Sequence, residues 1–191
     1  MESTVHAASI MTGNTSMQYD KIIEAGREIF LKKMNDYGTA WRILRVSSIT
    51  DQVYIKAQRI RSIEEKGMQM VNEGIDGEFL GILNYCIIAL IQLEKGSNPE
   101  IEMGKEEVLR LFNFHSNQAK QLMENKNHDY NEAWREMRTS SMTDLILMKL
   151  LRIKQIEENN GKTLISEGVE ANYYDIINYS VFALIKMDEA K

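Results

Sequence analysis

Proline and cysteine are nearly absent from this chain. Its 191 residues hold one Pro and one Cys. Average usage near 5% would place about nine or ten prolines in a chain of this length. That scarcity suits long helices and argues against a turn-rich β-sandwich or barrel. A single cysteine, Cys86, excludes an intrachain disulfide and a Cys-based zinc site. It lies in the apolar run Tyr85-Cys86-Ile87-Ile88-Ala89-Leu90 and reads as a buried core thiol rather than a nucleophile. His6, His115 and His128 are scattered and show no ligand spacing. Basic charge is also short. Lys and Arg total 23 against 28 Asp and Glu, a formal net charge of −5. That balance gives no strong signal for nucleic-acid binding, which wants a basic face. No apolar run approaches the roughly 18 residues that suggest a membrane span, so no membrane association is expected. Residues 1–17 have neither a basic start nor a long apolar core, so they do not read as a signal peptide. They are small and polar, and a flexible N-terminal tail is expected there. A cytoplasmic location is the simplest expectation.

What is present is ordinary globular composition, 43% hydrophobic and 27% charged. The twelve Met residues suit gap-filling in a core. The strongest feature is an internal repeat. Lys33, Asp36, Tyr37, Ala40, Trp41 and Arg42 recur as Lys126, Asp129, Tyr130, Ala133, Trp134 and Arg135. Ser47, Ser48, Thr50 and Asp51 recur as Ser140, Ser141, Thr143 and Asp144. Lys56, Arg59, Ile60, Glu64 and Glu65 recur as Lys149, Arg152, Ile153, Glu157 and Glu158. The offset is 93 throughout these segments and becomes 94 after one extra residue near Asn159-Asn160. Asn84 and Tyr85 then pair with Asn178 and Tyr179. Two copies of one unit follow, over residues 18–95 and 108–191, joined by a linker over 96–107 that holds the lone Pro99.

Each unit reads as three helices, near 18–34, 48–65 and 75–94 in the first and 105–126, 141–158 and 169–189 in the second. Ser48 and Ser141, each three residues before an Asp, are expected as helix N-caps. Gly67 and Gly161 are expected as stops. A unit of about 80 residues buries little surface alone. Two copies can pack face to face as an isologous dimer does. The expected fold is therefore all-α, with two tandem three-helix repeats in a pseudo-twofold helical bundle. The chain is expected as a monomer of this pseudo-dimeric kind, or as a homodimer.

The last helix carries a polar stripe. At 100° per residue from Glu167, Asn178 falls at about 20°, Asp175 at about 80° and Glu170 at about −60°. Burying such groups costs free energy unless they are paired or ligate a cation. Carboxylate and amide oxygens suit Mg²⁺, so Glu167, Glu170, Asp175 and Asn178 form a candidate metal set. Lys149 and Arg152, with Lys56 and Arg59 in the first copy, share a helix face. They are candidate phosphate ligands, or salt-bridge partners for the third-helix carboxylates. Tyr37 and Tyr130 are candidates for stacking on a nucleobase, whereas Trp41 and Trp134 read as core anchors. The Glu64-Glu65 and Glu157-Glu158 pairs read as solvated helix ends. Gly81 stands where the second copy has Asp175, which makes the second half the better-equipped candidate for chemistry.

The sequence Lys-x-x-Asp-Tyr-x-x-Ala-Trp, then Lys-x-x-Arg-Ile, then Glu167 with Asp175, Asn178 and Tyr179, resembles the nucleotide-modification-associated domain family, formerly a domain of unknown function. The resemblance covers both repeats. Phage members carry a further Asp where this chain has Ala171 and Gly77. The family in turn looks distantly like the all-α nucleoside triphosphate pyrophosphatases of the MazG and dUTPase type. Those enzymes hold Mg²⁺ with carboxylates and release pyrophosphate. The resemblance implies a nucleotide as small-molecule partner, Mg²⁺ as cofactor, and Glu167 and Asp175 as catalytic groups. The alternative is a non-catalytic helical binding or assembly module, with the same charges in a buried salt-bridge network such as Arg152 with Asp175 or Glu167.

Overall fold

Ile49, Val53, Ala57 and Ile60 are all fully buried, as are Met142, Ile146, Leu150 and Ile153. Their spacing of four, four and three places each set on one stripe of a helix. The computed structural model describes residues 2–67, 74–98, 100, 102–163 and 167–190, with side chains from Asn14 onward. Among the described residues there are six α-helices and no strand: α1 (Glu2–Tyr37), α2 (Val46–Lys66), α3 (Ile75–Lys95), α4 (Lys105–Tyr130), α5 (Thr139–Glu158) and α6 (Val169–Glu189). Short 3-10 turns, Ala40–Ile43 and Ala133–Glu136, follow α1 and α4.

The centre is a bundle of α2, α3, α5 and α6, with α1 and α4 laid across α3 and α6. The helices α3 and α6 are apolar nearly all round because they are enclosed. Ile82, Leu83, Ile87 and Leu90 each remove a whole side chain from water. Each such burial is worth about 1.5–3 kcal/mol. By length and composition α3 is apolar enough to cross a membrane, but 67% of that stretch is buried inside the fold.

The two halves meet as an isologous pair. Thr50 donates to Glu157 at 2.9 Å, and its equivalent Thr143 donates to Glu64 at 3.1 Å. Lys154 reaches Asp51 at 2.6 Å, and its equivalent Arg61 reaches Asp144 at 3.7 Å. Each contact recurs with both partners replaced by their counterparts, the signature of a twofold interface.

Three sequence expectations change. The helix α1 begins at Glu2, so residues 2–17 continue a helix where a flexible tail is expected from sequence. That segment has no Pro, and its end docks on the second half, where Thr15 donates to Glu132 at 2.5 Å. Ser48 and Ser141 are not N-caps. The helices α2 and α5 start two residues earlier, with Arg45 and Arg138 in extended cap positions that make no side-chain cap bond. Asp51 and Asp144 are thereby free to bridge the halves. Glu64 and Glu157 are half-buried at the interface, while Glu65 and Glu158 are solvated. Burial raises the Glu64 and Glu157 carboxyls above their ordinary values. The stops hold: Gly67 takes φ +66° after α2, and Gly161 takes φ +78° after α5.

Candidate functional site

Each half carries a cavity between its first helix, its 3-10 turn and its third helix. The first encloses about 690 Å³ and the second about 410 Å³. Their linings correspond residue by residue. Lys33, Tyr37, Trp41, Gly81, Asn84, Tyr85 and Ile88 line one. Lys126, Tyr130, Trp134, Asp175, Asn178, Tyr179 and Phe182 line the other.

Local chemistry positions these groups. The first helix of each half ends on a left-handed residue, Gly38 at φ +60° and Asn131 at φ +48°. Gly and Asn are the residues that tolerate this conformation best. The chain turns there and drops the Trp onto the third helix. Tyr37 and Tyr130, just before the turn, stay 72% and 70% exposed at the cavity rims. Gln92 pins the first turn, donating to the carbonyls of Arg42 at 2.9 Å and Leu44 at 2.7 Å. Its equivalent Lys186 donates to the Arg135 carbonyl at 2.5 Å.

The second cavity is narrowed by its own side chains. Trp134 is buried and stacks on Phe182, with ring centroids 4.2 Å apart and planes 4° from parallel. The Arg135 guanidinium lies 4.4 Å from the Trp134 ring centroid. Asp175 is buried and bound by two cations, Lys126 at 2.7 Å and Lys149 at 2.6 Å. Burial works against the Lys126 ammonium, but the hydrogen bond and charge of Asp175 outweigh it and raise its pKa above the ordinary value.

The first cavity is larger. Ile88 replaces Phe182, and Trp41 is only partly buried, tilted toward Phe30 at 6.4 Å. The carboxylate comes from a different turn of the helix. Glu78, equivalent to Asn172, is buried and takes Lys56 at 3.1 Å and also Arg59. With Gly81 in place of Asp175, Lys33 is exposed and has no ion pair among the described residues.

The candidate metal set is not brought together. Asp175 is neutralised by its two lysines. Both ends of the Asn178 amide are used, accepting from Tyr19 at 2.7 Å and donating to the Ala119 carbonyl at 3.1 Å. Glu170 is exposed and faces Tyr174, whose hydroxyl lies 3.4 Å away. Glu167 is exposed ahead of α6 and makes no hydrogen bond to Asp175. No group of three or more His, Cys, Asp or Glu among the described residues is arranged to hold a metal ion. The donor set therefore does not fit Mg²⁺, because lysines already supply the positive charge that buried carboxylates require.

The phosphate candidates divide likewise. Lys56, Arg59 and Lys149 are salt-bridge partners of third-helix carboxylates. Arg152 is exposed and meets neither Asp175 nor Glu167, so the buried network is built on Lys149 and Lys126 instead. Sequence reasoning misses Lys33 and Lys126 as site residues. Their signal is available, since they open the repeated motif in both copies. It also misses Glu78, whose role shows only when α2 and α3 are laid together.

The sequence model of one protein family, described as nucleotide modification associated domain 1, matches the chain twice, over residues 33–93 and 126–187. The two matches span the cavity-forming parts of both halves. No curated protein and no solved structure matches the chain.

Proposed function

Because this chain belongs to the nucleotide modification associated domain 1 family, we propose that its first-half cavity binds a nucleoside phosphate. The observation that carries this is Lys33, without an ion pair among the described residues, beside Tyr37 and Trp41 in a cavity of about 690 Å³, a size suited to a small-molecule ligand. Tyr37 and Trp41 offer π-faces to a base, and base–aromatic stacking is worth about 1–3 kcal/mol. Lys33 supplies the charge for a phosphate. The second half, with Trp134 stacked on Phe182 and Asp175 held by two lysines, is the scaffold. This reverses the expectation that Asp175 marks the half for chemistry.

Pyrophosphate release from a nucleoside triphosphate, the reaction that the resemblance to the MazG type implies, is the finer version of this function. The paired state of Asp175 and Glu78 favours binding without hydrolysis. Calorimetry and thermal shift with a panel of nucleoside mono-, di- and triphosphates, with and without Mg²⁺, test the binding. Binding to the native state raises the melting temperature by mass action. Lys33→Ala and Trp41→Ala should each weaken binding about tenfold or more. A flat response across the panel would sink the proposal. A pyrophosphate assay on the same samples decides whether the bound nucleotide is hydrolysed.

A further inference from the structure

Asp175 and Gly81 stand at equivalent positions of α6 and α3, and the lysines around them are equivalent too. Lys126 corresponds to Lys33 and Lys149 to Lys56. In the second half the Asp175 carboxylate sits between its two ammonium groups at 2.7 and 2.6 Å. In the first half residue 81 has no side chain to take that place. A Cβ on Gly81 would stand 3.2 Å from Lys56 Nζ and 3.0 Å from its Cε, so the end of the Lys56 side chain packs against the glycine and gives way to any group placed there. Lys56 bonds Glu78 at 3.1 Å, and an ammonium has three donors. Lys33 lines the same cavity and makes no ion pair among the described residues.

We infer that the first half holds an oxyanion of its ligand over Gly81, between Lys33 and Lys56, in the place that the Asp175 carboxylate takes between Lys126 and Lys149. Asp175 is then a built-in anion that plugs the second site, and the chain has one working site. The ligand class is a phosphate oxyanion. This deepens the nucleotide proposal by locating the phosphate subsite, and it rests on that proposal only for the base and sugar. Charge explains the exchange. The second half meets both lysines with one carboxylate, whereas in the first half Glu78 takes Lys56 and the ligand supplies the anion that Lys33 lacks among the described residues.

Calorimetric titration with inorganic pyrophosphate and with a nucleoside triphosphate tests this on the full chain. Wild type should bind one equivalent of each. Gly81→Asp should lower both affinities tenfold or more while the protein stays folded, because it copies the second half's own pairing. Gly81→Asn, which brings the same bulk without charge, should lose clearly less. Asp175→Gly should gain a second equivalent, and added pyrophosphate should raise its melting temperature more than that of wild type. Equal affinity in wild type and Gly81→Asp overturns the inference, as does equal loss in Gly81→Asp and Gly81→Asn, or failure of wild type to bind any anion. Should Asp175→Gly not fold, the two Gly81 variants decide alone. Pyrophosphate binding lost in Gly81→Asp, with no preference for a nucleotide, upholds the anion site and removes the nucleotide proposal. Nucleotide binding unchanged by Gly81→Asp does the reverse.

Discussion

The Tyr19 hydroxyl donates to Asn178 Oδ1 at 2.7 Å, across the boundary between the halves. The equivalent of Tyr19 is Phe112, and the equivalent of Asn178 is Asn84. Asn84 keeps the symmetric bond from its amide nitrogen, to the Gly26 carbonyl at 2.9 Å, but its Oδ1 is buried without a partner. One half of the symmetric pair lacks its donor.

Two opposite mutations follow from that asymmetry. Tyr19→Phe orphans a second buried amide oxygen and should cost about 1–3 kcal/mol. Phe112→Tyr should return a hydroxyl to Asn84 and stabilise by about 1 kcal/mol. Urea unfolding of both variants checks this, and destabilisation by Phe112→Tyr would refute it.

Glu64 and Glu157 should make the fold less stable as pH rises. Burial raises both carboxyls above 4.5 in the folded state. Between 4.5 and the raised folded value, the native state holds protons that the unfolded chain has released, so stability falls across that window. The combined variant Glu64→Gln/Glu157→Gln keeps an acceptor for Thr143 and Thr50 and should flatten this fall. Both groups are part-exposed, so the gain at neutral pH should stay under about 1 kcal/mol per site. Melting temperatures from about pH 4, near the ordinary carboxylate value, up to about pH 8 read it out.

Asp175 and Lys149 should depend on each other. Asp175→Ala strands the buried Lys149 ammonium and should cost about 3 kcal/mol, the scale for breaking a buried pair. Adding Lys149→Met should recover part of that loss. A double-mutant cycle on denaturation should show a coupling of about 1 kcal/mol or more. Additive effects would mean that the pair contributes no specific interaction.

Gln92→Leu should loosen the first-half turn. It leaves the Arg42 and Leu44 carbonyls without this donor and removes one acceptor of the Arg42 guanidinium, which keeps the Gly96 carbonyl. A loss of about 1–3 kcal/mol is expected, with faster amide exchange confined to residues 39–45. Unchanged exchange in that turn would count against this role.

Much of the fold is legible in the residues. The repeat announces two equivalent halves. The spacing of Ile49, Val53, Ala57 and Ile60 announces a buried helical stripe. Tyr37 and Tyr130, marked by the repeated motif, stand beside the two cavities. The metal set fails because a helical wheel shows which side chains share a face but not what lies opposite them. Lys126 is 49 residues from Asp175, and nothing local joins the two.

Helix content, duplication and core stripes are properties of short-range pattern, with a period of about 3.6 residues that any stretch of chain displays alone. Partnership is not. Gly81 and Asp175 look like a gain or loss of one acid in sequence. In the folded chain they decide whether one carboxylate takes both lysines, as Asp175 does, or Lys56 turns to Glu78 and Lys33 makes no ion pair among the described residues. That outcome depends on α1, α2 and α3 meeting at one point, and on α4, α5 and α6 meeting at another. Long-range packing sets those meetings, because a buried charge takes whichever partner the neighbouring helices bring within about 3 Å.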